Sequence, residues 1–399
     1  MIRPNGAALD QLLVDASVVI CCGTGGVGKT TTAAVLGVQA ARLGRRAVVV
    51  TIDPAKRLAD AFGLAGGLTN DPVLVQLTDL DPDDDTDTDT ATTTEPATEP
   101  ATTHASEPAT GQLWAMMLDT ATTFDGLVRS NAATPEQAER ILANGFYRNI
   151  AGSLSGTQEY MAAERLHSLH LDDRFDLVIV DTPPTRNALD FLDAPGTLSR
   201  FVDHPLFKLL ITPTRRGLKV LNIAAQPVLR TIGKVIGGDV LADAIAFFQA
   251  FEGMETGFRQ RADQVLDLLS SPVTRFVLIA SPRGDTIAEA RYFADRLRSS
   301  SLSVAALIVN RATPRFDGST ELGSPTAVPT DIINTEDSGL RDLYDNLDQL
   351  TAMADGEVIS VQPLFADIPD CSIHWVPLLD GDVHDQAALQ RIRRLLFNG

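Results

Sequence analysis

The sequence predicts an α/β protein with a mostly parallel sheet flanked by helices and a helical subdomain inserted into it. Three observations predict this class. Short apolar runs at 17–22, 47–51 and 177–180 have the character of strands buried on both faces, as parallel sheets require. Helical patterning fills much of the chain between them. Directly after the first run, residues 23–30 read Gly-Thr-Gly-Gly-Val-Gly-Lys-Thr, and a helix-forming stretch follows from Thr31. That strand–loop–helix order with G-x-x-x-x-G-K-T is the phosphate-loop arrangement of a nucleoside triphosphatase.

The residue types explain the motif. Glycines let the backbone turn tightly and aim its N–H groups inward, where the helix N-terminus favours an anion. Gly25, Gly26, Val27, Gly28, Lys29, Thr30 and Thr31 are therefore the expected phosphate contacts. Lys29 reaches the outer phosphates, and the Thr30 hydroxyl is placed to ligate magnesium. The same letters also satisfy G-x-G-x-x-G at Gly23, Gly25 and Gly28, with Asp53 beyond the next strand. That is the dinucleotide fingerprint. A nicotinamide site has no need of a Lys-Thr pair after the third glycine, whereas a magnesium-triphosphate site needs both, so a nucleoside triphosphate with Mg²⁺ is expected, which the family resemblance below narrows to ATP.

Bulk properties narrow the remaining choices. The chain has 399 residues, 44% apolar, with a formal net charge of −19 that argues against a nucleic-acid partner. Three cysteines, Cys21, Cys22 and Cys371, form no framework and no C-x-x-C pair, so neither a disulfide scaffold nor a structural zinc site is expected. The first residues lack the apolar core of a secretory signal, and no apolar run is long enough to span a bilayer, which predicts a cytoplasmic protein.

In chain order, residues 9–13 predict a helical lead-in, 17–22 the first strand, and 31–43 a helix ended by Gly44. The second strand, 47–51, delivers Asp53, placed beyond a strand's carboxyl end to orient the attacking water. Residues 79–110 are different. Their ten acids (Asp79, Asp81, Asp83, Asp84, Asp85, Asp87, Asp89, Glu95, Glu99 and Glu107) and repeated Thr-Glu-Pro-Ala units predict a disordered acidic insert. From Gln112 the pattern reads as helical, continuing through 155–170, where His167 and His170 read as surface or satisfied histidines. Leu177 to Val180 form the third strand, with Asp181 at its end as the second acidic element, holding magnesium directly or through water. Residues 196–268 are again helical. Their basic amphipathic part, without an acid between Asp203 and Asp239, reads either as a surface for a hydrophobic client or anionic membrane, or as a subdomain packing on itself. Two further strands are expected at 276–280 and 305–310, a helix at 286–298 between them, a loop at 312–335, a helix at about 339–353, a last strand at 373–376 and a terminal helix.

These pieces together resemble the arsenite-pump ATPase (ArsA) family, which includes the eukaryotic ATPases that target tail-anchored membrane proteins. The resemblance implies a layout of ATPase domain at 1–78, 171–195 and 269–399, and a helical subdomain at 111–170 and 196–268. It implies catalytic roles for Lys29, Asp53 and Asp181, magnesium at Thr30 and Asp181 (the latter through water), a second switch at Asp181 to Thr185, adenine read by Asn310, and a loop at Pro377, Leu378 and Leu379 closing over the base. A nucleotide-gated homodimer or heterodimer with a related ATPase is implied, acting on a protein or membrane-associated client. Three departures stand out. Thr24 occupies the place of a family lysine that crosses the dimer to the partner's phosphates, a trans charge worth roughly 10³–10⁵ in rate in related enzymes. Lys56 and Arg57 stand where the targeting ATPases tend to have His-Asn. The cysteines for metalloid and for dimer-bridging zinc are missing, which leaves thiolate capture of arsenite without chemical support.

Overall fold

A computed structural model describes residues 6–52, 57–77, 111–151, 157–183, 238–251, 253–315 and 338–397. Eight strands form one sheet in the order β3-β4-β2-β5-β1-β6-β7-β8. They are β1 Val18–Gly23, β2 Arg46–Thr51, β3 Val73–Leu74, β4 Gln112–Met117, β5 Leu177–Asp181, β6 Thr274–Ala280, β7 Val304–Ala312 and β8 Ser372–Pro377. All neighbours run parallel except β3 and β4. Every residue of β1 is buried, which is what a β-branched run at the centre of a two-sided sheet should show.

Helices cover both faces. One face buries α1 Gly6–Asp15, α2 Lys29–Arg42, α3 Arg57–Ala61 and α12 Gln386–Phe397. The other buries α7 Thr157–His170, α9 Glu255–Ser270, α10 Gly284–Ser299 and the C-terminal half of α11 Ser338–Asp367. A third cluster, rich in aromatic rings, gathers α4 Thr120–Asn131, α5 Pro135–Leu142, α6 Gly145–Ala151 and α8 Gly238–Ala250 against the start of α7 and of α9. Helices from both sides of β5 in sequence thus build one apolar cluster. Cys21 and Cys22 point to opposite faces, one into each core layer. Burial pushes the Cys22 thiol up to about 12 and, with the Asp181 carboxylate beside it, holds Cys21 well above the ordinary range. Both act as small apolar side chains.

Two expectations are corrected. Residues 112–117 are the strand β4, paired with β2 from Arg46↔Gln112 to Thr51↔Met117, and not the start of a helix. The side chains alternate: Leu113, Ala115 and Met117 join one layer, while Trp114, Met116 and Leu118 join the other. A strand apolar on both faces shows no period of two in its hydrophobicity, so its sequence passes for helix. Secondly, α11 runs beyond Met353 to Asp367, through Gly356 and Pro363. Burial of Ala354, Val361 and Leu364, three and seven residues apart on one helical face, outweighs the two breakers. Of the two alternatives for His167, surface or satisfied, burial at 6% exposed removes the surface one. The acidic insert, the basic amphipathic stretch after Asp203 and most of the loop after Ala312 lie outside the described residues. Among the described residues no helix is long and apolar enough to cross a membrane.

Candidate nucleotide-binding site

At the carboxyl end of β1 the backbone turns away through Gly23 into the glycine-rich loop. Gly23 has φ +152°, and a Cβ there would stand 2.2 Å from the Ile279 carbonyl oxygen, so no side chain fits. The loop ends at Gly28, φ +94°, where a Cβ would lie 2.3 Å from Asn310 Nδ2. Gly28 also caps α2 without a side-chain acceptor, so the first turn of that helix presents its backbone N–H groups and its positive end to the space in front of it. This is a geometry for anions.

Side chains converge on the same point. Lys29 is 6% exposed, and its Nζ donates to the Thr24 carbonyl at 2.7 Å, which holds the ammonium over the loop. Thr30 Oγ1 donates to Asp181 Oδ2 at 2.6 Å, and Thr51 Oγ1 donates to that same oxygen at 3.0 Å. Sheet order makes this possible: β5 lies between β1 and β2, and Asp181 is in register with both Cys21 and Thr51. Thr182 Oγ1 then donates to the Cys21 carbonyl at 2.7 Å, tying the exit of β5 to β1. With its hydroxyl proton directed at Asp181, Thr30 keeps oxygen lone pairs for a cation. Hydroxyl and carboxylate are hard oxygen donors suited to Mg²⁺, so this donor set fits the ion the motif calls for.

A pocket of about 720 Å³ opens in front of α2. Of the expected contacts, Gly26, Gly28, Lys29, Thr30, Thr31, Asn310, Pro377 and Leu378 line it. Val27 is buried behind the loop. Asp181 stands behind Thr30, and its neighbour Thr182 reaches the wall. Asp53, Lys56, Pro184 and Thr185 lie outside the described residues. The pocket also holds groups the sequence reading gave no role in binding. Arg311 enters it from a bulge in β7, where the β7–β8 register slips between Asn310 and Ala312 and Arg311 adopts φ 61°. Leu379, expected in the base loop, lines the pocket as well, and so do residues 380–384, for which no role was expected. Thr51 was missed because only strand register reveals its approach to Asp181.

The model of the anion-transporting ATPase family matches residues 16–322 of the chain. The chain belongs to the ArsA ATPase family. This ArsA-family chain is 24% identical over 306 residues to the ATPase get3 of Aspergillus terreus, covering 74% of the chain and 73% of that protein. It is 22% identical over 391 residues to a putative arsenical pump-driving ATPase 1 of Aquifex aeolicus, covering 95% and 78%. An ATPase ASNA1 homolog of Trypanosoma cruzi is 28% identical over 306 residues, with 72% of each chain covered. All three relatives are named as ATPases, and residues 16–322 contain the phosphate loop, β5 and Asn310.

Proposed function

We propose that the pocket binds magnesium-ATP and hydrolyses it to ADP and phosphate. The observation that carries the reading is the convergence of Lys29, Thr30 and Asp181, which are brought together at the head of α2 by the β2-β5-β1 strand order. Lys29 and the first-turn N–H groups hold the outer phosphates. Thr30 and Asp181 would hold the ion, which when bound would supply charge neutralisation at the phosphates. Asp53 orients the attacking water. Asn310 and the loop beginning at Pro377 and Leu378 enclose the base.

In this reading the protein works as a homodimer or heterodimer with a related chain, gated by nucleotide. Its client is a protein or membrane-associated segment and not arsenite. The ATPases named get3 among its relatives and the resemblance to tail-anchored-protein targeting ATPases support that client class. A helical unit formed by 120–170 and 238–270, joined through its aromatic cluster, is the element that nucleotide would move. Thr24, 7% exposed, carries no charge where the family has its trans lysine, so hydrolysis is slow alone or depends on a partner.

Calorimetric titration of ATP with magnesium, alongside steady-state hydrolysis, tests the core of this proposal. Lys29→Ala should weaken ATP binding by about ten- to a hundredfold, the loss of a charge-assisted hydrogen bond. An unchanged affinity in that variant overturns the assignment of the pocket. Sedimentation of the chain with ADP and with a slowly hydrolysed ATP analogue tests the dimer, and full activity in a strict monomer would overturn it.

A further inference from the structure

Asn310 sits where two independent hydrogen bonds use up one face of its amide. Its Nδ2 donates to the Val27 carbonyl at 2.8 Å, across 283 residues of sequence, and its Oδ1 accepts from the Arg311 backbone N–H at 2.9 Å. The partners settle the amide's orientation, because a carbonyl only accepts and a backbone N–H only donates. The second bond belongs to the β7 bulge. With Arg311 turned to φ 61°, its N–H meets the Asn310 oxygen and fixes the amide plane. The first bond reaches the phosphate loop at the peptide immediately before its last glycine.

That peptide matters for the loop's donors. A trans peptide holds its C=O and N–H in opposite directions, so fixing the Val27 carbonyl fixes the Gly28 N–H as well. Gly28 is shaped to the same contact, since a Cβ on it would lie 2.3 Å from Asn310 Nδ2. We infer that Asn310 is a positioning residue that clamps the Val27–Gly28 peptide and so pre-orients the phosphate loop, whatever it also does toward a base. The inference deepens the nucleotide reading above and rests on it for its ligand. It links the strand at the base end of the pocket to the donors at the phosphate end.

The test uses the full chain with Asn310→Ala and a probe that has no base, inorganic tripolyphosphate with magnesium, titrated beside ATP. The variant should bind tripolyphosphate about five- to tenfold more weakly, the worth of one hydrogen bond to a loop that must otherwise be ordered on binding. In the ligand-free protein, amide exchange across residues 23–32 should quicken while that of residues 18–22 in β1 is unchanged. Weakened ATP binding with tripolyphosphate affinity and loop exchange both unaltered would make Asn310 a base contact alone and overturn the inference. If the parent chain bound neither ATP nor tripolyphosphate, the nucleotide reading would fall, and the ligand-free exchange would still decide whether the clamp exists. Should Asn310→Ala not fold, Asn310→Asp keeps the size and the bond from Arg311 but sets an oxygen against the Val27 carbonyl. Exchange across 23–32 should quicken there too, and unchanged exchange overturns the clamp.

Discussion

Asp181 shows how much one side chain's neighbours decide at the residue scale. It is 1% exposed, and two hydroxyls, from Thr30 and Thr51, donate to the same carboxylate oxygen. Thr51→Val keeps the shape and removes one of these donors, which should cost roughly 1.5–3 kcal/mol in urea unfolding, as expected for a bond to a charged group. Gly28→Ala faces two penalties together. The left-handed backbone costs about 1–2 kcal/mol for a residue with a Cβ, and that Cβ meets Asn310. Triphosphate affinity should fall at least as far in Gly28→Ala as in Asn310→Ala, and titration with ATP checks it.

Helix α2 is the element that most directly couples packing to the site. Val35, Leu36 and Val38 are buried within it, and Gly37 lies close against the sheet. A Cβ at Gly37 would lie 2.6 Å from Val49 Cγ2 and 2.9 Å from Leu113 Cδ1, on strands β2 and β4. Gly37→Leu should therefore destabilise the protein by roughly 1–3 kcal/mol through overpacking. It should also weaken ATP binding, because the head of the same helix carries Lys29 and Thr30; thermal melting and titration of one preparation read both effects. Residues 112–117 supply side chains to both core layers, and an apolar run without alternation does not declare whether it is strand or helix.

For the whole molecule, two histidines buried in separate places contribute to the response to acid. His167 lies on α7, with desolvation and the nearby Arg261 cation holding it down at about 4, and His374 on β8 is held at about 4 by burial. Their ordinary value is 6.5, so between about 6.5 and 4 the unfolded chain binds more protons than the folded one. Their stabilising contribution is complete above 6.5 and is lost as the pH falls toward 4. Urea midpoints measured from pH 7 to pH 4 should fall across that window. A His374→Leu variant should show a shallower decline, and an unchanged slope would count against this account.

Sequence by itself determined the sheet's parallel character, the phosphate loop and the carboxylate after the third long apolar run, because each is a local pattern: residue types and spacings that act within a few residues of one another. The resemblance to ArsA ATPases extended this to Asn310 and to Pro377 and Leu378, which the fold does bring to one pocket. What only tertiary structure decided was relational. Thr51 meets Asp181 because β5 is the neighbour of β2, and Asn310 reaches Val27 from the carboxyl end of β7, two places from β1 in the same sheet. The strand identity of 112–117 likewise depends on pairing with β2. Contacts between residues more than a hundred positions apart depend on strand order and register, and no local pattern of side chains encodes either.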